Sequence, residues 1–245
     1  MKIVAIIQAR MTSTRLPGKV MIPVLGISLL EHQINRLKRA KLITSICIAC
    51  TKNDQDEPIV NLTNKLGVFL HRGSEFDVLS RYYEAALNLN ADLIMRVTSD
   101  CPLIDPIELD KLVTAYLTDT SDCDYLSSGL LRSYPRGMDA ELFSFGALKI
   151  AYEKAKEPYH REHVTPFFYN NPIDFKVKNF SFKEDQSKHR WTVDTREDFE
   201  LISKIIAELY PLNPNFTIYD VLSLMEKNPQ WVFINQHVRQ KDVKE

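Results

Sequence analysis

The stretch KIVAIIQARMTSTRLPGK, Lys2 to Lys19, sets the terms for the rest of the chain. Ile3 to Ile7 is an unbroken apolar run, the pattern of a strand covered on both faces. It stops at Gln8 and gives way to three cations, Arg10, Arg15 and Lys19, interleaved with Thr12, Ser13 and Thr14. Pro17-Gly18 imposes a turn before Lys19.

Outward from this stretch, strand and helix patterns alternate. SLLEHQINRLKRA has helical periodicity behind a Ser28 cap, SICIACT reads as a strand, and EPIVNLTNKLG as a helix closing on Gly67. VFLHRG, EFDVLSRYYEAALNLN, ADLIMRVTSD and PIELDKLVTAYLTD continue the alternation to about residue 118. That rhythm predicts a three-layer α/β/α fold on a mainly parallel sheet. The second half is less regular. CDYLSSG, DAELFSF, DFKVKNF and HRWTVDT read as short strands, and GALKIAYEKAK, REHVTPFFYNN, TREDFELISKIIAEL and TIYDVLSLMEKNP as helices. No repeat or linker divides the chain. It is read as one domain over 1–245, with a nucleotide-binding half to about 118, a second half over about 119–228 and a tail over 229–245.

The formal net charge of −1 excludes a global field that would recruit nucleic acid or an anionic membrane, so anion binding must come from local clusters. No apolar segment approaches a membrane span, and Arg10 follows too soon for a signal-peptide core, so a soluble cytoplasmic protein is expected. CIAC, Cys47 to Cys50, has the spacing of a redox or zinc pair. Residues three apart on a strand face opposite ways, however, and buried structural thiols are the expectation.

In a parallel α/β sheet, ligands bind beyond the carboxyl ends of the strands, where the loop after the first strand must lie. Guanidinium forks match phosphate oxygens and a lysine adds a mobile charge, so Arg10, Arg15 and Lys19 point to phosphate binding. The loop is neither a Walker A nor a G-x-G-x-x-G turn, which argues against an ordinary dinucleotide oxidoreductase. Asp100 ends the strand ADLIMRVTSD before Pro102, at the same edge. A carboxylate facing phosphates needs a cation between them, and Mg²⁺ takes one or two carboxylates plus phosphate oxygens.

QARMTSTRLPGKVM resembles the N-terminal signature of the cytidylyltransferases that activate acidic sugars, such as those making CMP-Kdo and CMP-sialic acid. It is most similar to their relatives named after the spore coat polysaccharide biosynthesis protein SpsF. The resemblance continues through GSEFDVLSRY, RVTSDCPLIDP, YPRGMDAELF, REHVTP and WTVDTREDFE, spread over about residues 3 to 205. It implies a Rossmann-like nucleotide-diphospho-sugar transferase fold, CTP and a sugar as substrates, Mg²⁺ as cofactor, polysaccharide or glycan biosynthesis, and a homodimer. Trp231 and Phe233 could supply its apolar patch or simply cap the core.

Under this resemblance Asp100 and Asp194 would hold the metal, although Asp194 could equally cap the helix begun by DTRED. Gln8, Ala9, Arg10, Ser13, Arg15 and Lys19 would hold the nucleotide with Ser99, as would Gly73, Ser74, Asp77 and Arg81 after the third strand. For the latter group a helix start is the alternative, with Ser74 as cap and Arg81 paired to Asp77. Arg136, Asp139 and Glu141 of the YPRGMDAELF block, and Arg161, Glu162 and His163 of HREHVTP, are candidates for the sugar. Catalysis would rest on Arg10, Arg15, Lys19 and Asp100.

Two acidic pairs are weighed separately. DCD, Asp122 to Asp124, has the form glycosyltransferases use to hold a nucleotide-sugar, but it precedes a predicted strand, whereas a ligand edge follows one. DQD, Asp54 to Asp56, begins a helix and reads as structural. Three rivals follow: a GT-A glycosyltransferase using DCD, a UTP- or GTP-dependent pyrophosphorylase, which usually has a glycine-rich first loop, and a catalytically silent nucleotide-binding partner.

Overall fold

The computed structural model describes residues 1–118 and 123–240. The opening run forms β1 (Ile3–Gln8) inside a seven-stranded sheet. Its side chains alternate between two apolar layers, with Ile3, Ala5 and Ile7 in one and Val4 and Ile6 in the other. Both faces are covered, so no position of the run could be polar without leaving a buried group unpaired. The small hairpin strands β2 (Pro23–Val24) and β3 (Ile27–Ser28) lie outside the main sheet.

The remaining strands are β4 (Ser45–Thr51), β5 (Phe69–Gly73), β6 (Leu93–Thr98), β7 (Tyr125–Ser127), β8 (Glu141–Ser144) and β9 (Val177–Asn179). Spatial order is β5-β4-β1-β6-β8-β7-β9. Among the described residues, only the β6–β8 and β8–β7 pairings of this sheet are antiparallel, so the sheet is mixed and mainly parallel. Helices α1 (Leu29–Leu37), α2 (Glu57–Leu66) and α4 (Pro106–Thr118) cover one face. The other carries α3 (Val78–Asn88), α5 (Phe145–Lys154), and the short α6 (Pro158–His163) and α7 (Pro166–Tyr169). Cys47 lies in one layer and Cys50 in the other, and both thiols are free.

The chain leaves β1 toward β4 and β5, then returns to place β6 on the other side of β1. This reversal puts the ends of β1 and β6 side by side, with Gln8 opposite Thr98. Such a switch point opens a crevice at the carboxyl edge. A third apolar cluster, around Trp191, Val193 and Phe216, packs α8 (Arg196–Leu209) and α9 (Ile218–Lys227) beside the sheet. Trp231, Val232 and Ile234 pack against that cluster from a 3₁₀ turn, Pro229–Ile234, whereas Phe233 is 65% exposed. Trp231 thus caps the core.

Three local readings differ from expectation. HRWTVDT contributes only the isolated bridge between Arg136 and Arg190, because its neighbours belong to turns rather than to a strand. REHVTPFFYNN is two short helices: Pro166 cannot continue α6, and Val164 takes φ +70° at the break. Helix α3 starts at Val78 behind Asp77, whose carboxylate accepts from Ser80 N, so Asp77 and not Ser74 is the cap.

Candidate active site

The loop after β1 is shaped from below by a buried acid. Asp56 Oδ1 accepts from Met11 N at 2.8 Å, and its Oδ2 accepts from Thr51 N at 2.9 Å and Thr51 Oγ1 at 2.6 Å. The loop closes where Gly18 N donates to Met11 O at 2.9 Å. Gly18 sits at φ +69°, a left-handed conformation that glycine adopts without strain. Lys19 follows at the start of a 3₁₀ turn and is carried back over the sheet edge, 9% exposed.

Two carboxylates meet it there. Lys19 Nζ lies 2.8 Å from Asp194 Oδ1 and 3.3 Å from Asp100 Oδ2. Arg15 reaches Asp194 Oδ2 at 2.8 Å, and Arg190 reaches the same oxygen at 3.0 Å. Asp100 belongs to the turn after β6, where Thr98 Oγ1 donates to its Oδ1. The two acids are held together through the backbone, since Val193 N donates to Asp100 O at 2.8 Å and Thr192 Oγ1 to the same oxygen at 3.3 Å. Asp194 does not cap α8. Thr195 does so in a reciprocal capping box with Asp198, leaving Asp194 to the cleft.

Burial alone would raise the Asp100 carboxyl. Lys19 beside it, with hydrogen bonds from Thr98, Lys19 and Cys101, outweighs burial and holds it at about 2. Burial likewise opposes the Lys19 ammonium, and Asp100 and Asp194 outweigh it, so its pKa is raised. Charge is therefore fixed on both sides across the ordinary pH range.

These groups line an open cleft of about 450 Å³. Of the nucleotide candidates, Gln8, Ala9, Arg10, Ser13, Arg15, Lys19, Arg81 and Ser99 line it, and so do both acids, Asp100 and Asp194. Glu162 and His163 of the sugar set line it as well. Burial lowers the His163 pKa against the opposing charge of Glu162, with Arg96 adding a smaller push in the same direction as burial, which favours the neutral ring. Arg10 turns to Glu75 at 3.6 Å, which also accepts from Thr12 and Asn53.

The other candidates lie outside the cleft wall. Gly73 passes beneath Arg81: a Cβ there would come within 2.7 Å of Arg81 Cγ, so the missing side chain leaves room for that arginine. Arg81 donates to Ala49 O at 2.7 Å rather than pairing with Asp77. Ser74 accepts from Asp77 N, and Asp77 pairs with Arg161, which also donates to Tyr152 O and so ties α3 to α5 and α6. Glu141 is taken up by Arg96 and Tyr125, and Arg96 in turn donates to Gln8 Oε1 at 3.2 Å. Asp139 pairs with Arg132 and accepts from Gly137 N.

Arg136 exchanges backbone hydrogen bonds with the segment that carries Asp194, Arg136 N to His189 O and Trp191 N to Arg136 O. Gly137, at φ +101°, allows that approach: a Cβ would meet Trp191 O at 2.6 Å and Thr192 N at 2.5 Å. The YPRGMD block therefore braces the acid-bearing segment from behind.

Thr14, one of the hydroxyls interleaved with the loop cations, also lines the cleft, as do Val78, Thr98 and Gln240, to which no motif in the sequence pointed. Arg190 escaped the sequence reading as well. It joins Asp194 to the fully buried Asp198, at 2.8 Å, and donates to Gln240. Its spacing of four from Asp194 was visible, but the segment is not helical, so no periodicity pointed to the pair. Asp124 lies at the start of β7, on the opposite edge of the sheet, and its carboxylate accepts from Lys176 N. Asp122 falls outside the described residues.

Whether Asp100 and Asp194 suit a divalent ion can be judged from their oxygens. One oxygen of each already converges on a single cation, Lys19 Nζ, and hard carboxylate donors in pairs suit Mg²⁺ when phosphate and water complete the shell. Among the described residues no group of three or more His, Cys, Asp or Glu forms a metal cage. No helix among them is long and apolar enough to cross a membrane.

Comparison with known proteins gives consistent results. A family model described as cytidylyltransferase matches residues 4–237. The spore coat polysaccharide biosynthesis protein SpsF of Bacillus subtilis is 31% identical over 93% of this chain and 95% of its own length. The structure of a cytidylyltransferase from Leptospira borgpetersenii superposes with TM-score 0.91 at 35% identity, covering 99% of this chain and all of that one. A CMP:2-keto-3-deoxy-manno-octonic acid synthetase complexed with CTP shares the fold at TM-score 0.65 and 16% identity, over 85% and 99% of the two chains.

Proposed function

This chain belongs to the cytidylyltransferase family, and on that footing we propose that it transfers CMP from CTP to a sugar, releasing pyrophosphate. An acidic sugar destined for surface polysaccharide or glycan is the acceptor favoured by the likeness to SpsF, with CTP favoured by the fold shared with a CTP-bound synthetase. The observation that carries the proposal is the convergence of Arg15, Lys19, Asp100 and Asp194 at the switch point between β1 and β6.

The sugar oxygen attacks the α-phosphorus and pyrophosphate leaves, so catalysis needs alignment and charge neutralisation rather than a covalent intermediate. Arg15 and Lys19 exchange their carboxylate partners for phosphate oxygens and stabilise the charge that develops on pyrophosphate. Arg10, held near the rim by Glu75, contributes to triphosphate capture. Asp100 and Asp194 are the residues that would hold Mg²⁺, which when bound would supply Lewis-acid neutralisation of the phosphates. Gln8, Ala9, Ser13, Arg81 and Ser99 line the nucleotide side, with Gly73 giving Arg81 its space. Glu162 and His163 face the cleft, the sugar side in this reading, and neutral His163 is able to accept a proton or a hydrogen bond. Arg136, Asp139, Glu141 and Arg161, with Ser74 and Asp77, act behind the wall by fixing the segments that reach it. We propose a cytoplasmic homodimer as the working assembly, which sedimentation would test.

The test is a pyrophosphate-release screen of the four nucleoside triphosphates against sugar acids and sugar phosphates, with and without Mg²⁺. Release with CTP and a sugar acid, abolished by chelation, is expected. Release with UTP alone overturns the cytidine reading, and binding of CTP without release under any pairing makes the chain a nucleotide-binding partner.

A further inference from the structure

On the far side of the Asp100-Cys101-Pro102 turn from the cleft, a second pocket of about 140 Å³ opens between α1 and the segment joining α8 to α9. Arg36, Arg39, Tyr210, Asn215 and Phe216 line it, together with Pro102. Arg36 is 4% exposed. Its Nε donates to Ile104 O at 2.8 Å and its Cζ lies over the Phe216 ring, 4.2 Å from the centroid. Both remaining nitrogens, Nη1 and Nη2, are buried without a hydrogen-bond partner among the described residues. Arg39 lies three residues on, in the turn that ends α1, where its N donates to Arg36 O at 3.0 Å. Its side chain is anchored through Nη1 to Pro214 O and Asn215, while its Nη2 is likewise buried and unpartnered among the described residues.

Leaving three guanidinium N–H-bearing nitrogens unsatisfied in a desolvated place is costly, more so than for neutral groups. The buried acid that acts on Arg36, Asp105, does not relieve this directly: it spends Oδ1 on Ile107 N at 2.8 Å and Oδ2 on Ile218 N at 2.6 Å. Burial, then the like charge of Arg39, lowers the Arg36 guanidinium to about 9. A bound anion would remove both the repulsion and the unmet donors.

We propose that this pocket is a binding site for a small tetrahedral phosphate-type oxyanion, gripped by the free edges of Arg36 and Arg39. Its size admits such an ion and falls below the range of about 300–1,000 Å³ that larger organic ligands occupy. The fixed, stacked guanidinium of Arg36 presents a planar donor edge matched to two oxygens of one anion. Pro102 forms part of the wall two residues from Asp100, so the occupant touches the turn that carries a cleft carboxylate. The site is independent of the nucleotide reading.

The test is thermal unfolding during titration with inorganic phosphate at constant ionic strength, with chloride as the reference and acetate as a carboxylate comparison. A saturable rise in Tm of about 5–10 °C is expected near one hundredfold excess over Kd. The rise persists in Lys19→Gln, which alters the cleft. It needs at least about tenfold more phosphate in Arg39→Gln, the loss of one charge-assisted contact, and Arg39 is only half-buried so that variant folds. Arg36→Met abolishes it where that variant folds. No rise beyond chloride, an unchanged response in Arg39→Gln, an equal response to acetate, or loss in Lys19→Gln with retention in Arg39→Gln would each overturn the assignment.

Discussion

Lys19 is the residue on which most of the electrostatics turns. It neutralises two acids in the ligand-free chain, and in the proposed reaction it faces phosphate. Replacing it by Gln is expected to lower the rate of pyrophosphate release by about 10²–10³, the range for a lost transition-state charge contact. A quenched-flow or coupled pyrophosphate assay measures this, with circular dichroism as the check on folding. Asp100→Asn should fall in the same range, and normal turnover by Asp100→Asn at saturating Mg²⁺ would remove Asp100 from the proposed metal site. Because its carboxyl is held at about 2 and the Lys19 pKa is raised, neither group titrates between pH 5 and 9. Any activity limb inside that window belongs to another group or to substrate.

The residue-level chemistry was partly legible. Arg10, Arg15, Lys19 and Asp100 stand out because cations and an acid directly follow strands, and strand ends are ligand edges. Arg190, Glu75 and Asp56 were not legible in that role. Each acts on a group far along the chain or across a turn, and only the folded backbone brings them together.

At the scale of elements, the loop after β1 depends on the support beneath it. Asp56→Ala strands Met11 N and Thr51 N, two backbone donors that the carboxylate now satisfies. The expected loss is at least about 2 kcal/mol in denaturant unfolding, given roughly 1–3 kcal/mol for each unmet buried donor. CTP affinity should weaken alongside, since the loop loses its anchor. Gly137→Ala is expected to lower Tm and weaken the proposed pyrophosphate-releasing turnover together, because a methyl group must displace the backbone at Trp191 and Thr192, just before Asp194. Retained stability with retained turnover would show that the brace is dispensable.

Elements with strong periodicity or both faces buried could be read directly: β1, β4, α1 and α8 follow their patterns. Strands β7 and β9 are short, and HRWTVDT has strand composition without a partner along its length, so pairing rather than propensity decided its state. The break at Val164 was signalled by Pro166, yet the apolar spacing on either side suggested one continuous helix.

For the molecule as a whole, acid sensitivity should come from histidines rather than from the cleft carboxylates. Burial lowers His32, His71, His160 and His163, and it takes His189, beside Trp191 and with Lys188 adding to the effect, down to about 4. A folded value below the free value of 6.5 means that the contribution to stability is complete above 6.5 and is lost as pH falls toward 4. Urea unfolding at stepped pH should show that decline, and His189→Gln should lessen it. A stability curve flat from pH 7 to 4 would contradict the assignment.

The ammonium lodged between Asp100 and Asp194 has one further consequence. A chain whose acids carry a built-in counter-ion can complete its folding before any divalent metal arrives, unlike small metalloproteins whose apo forms stay unstructured. Maturation is then separable from loading: chelator should silence turnover while leaving the melting curve of the nucleotide-free protein where it was.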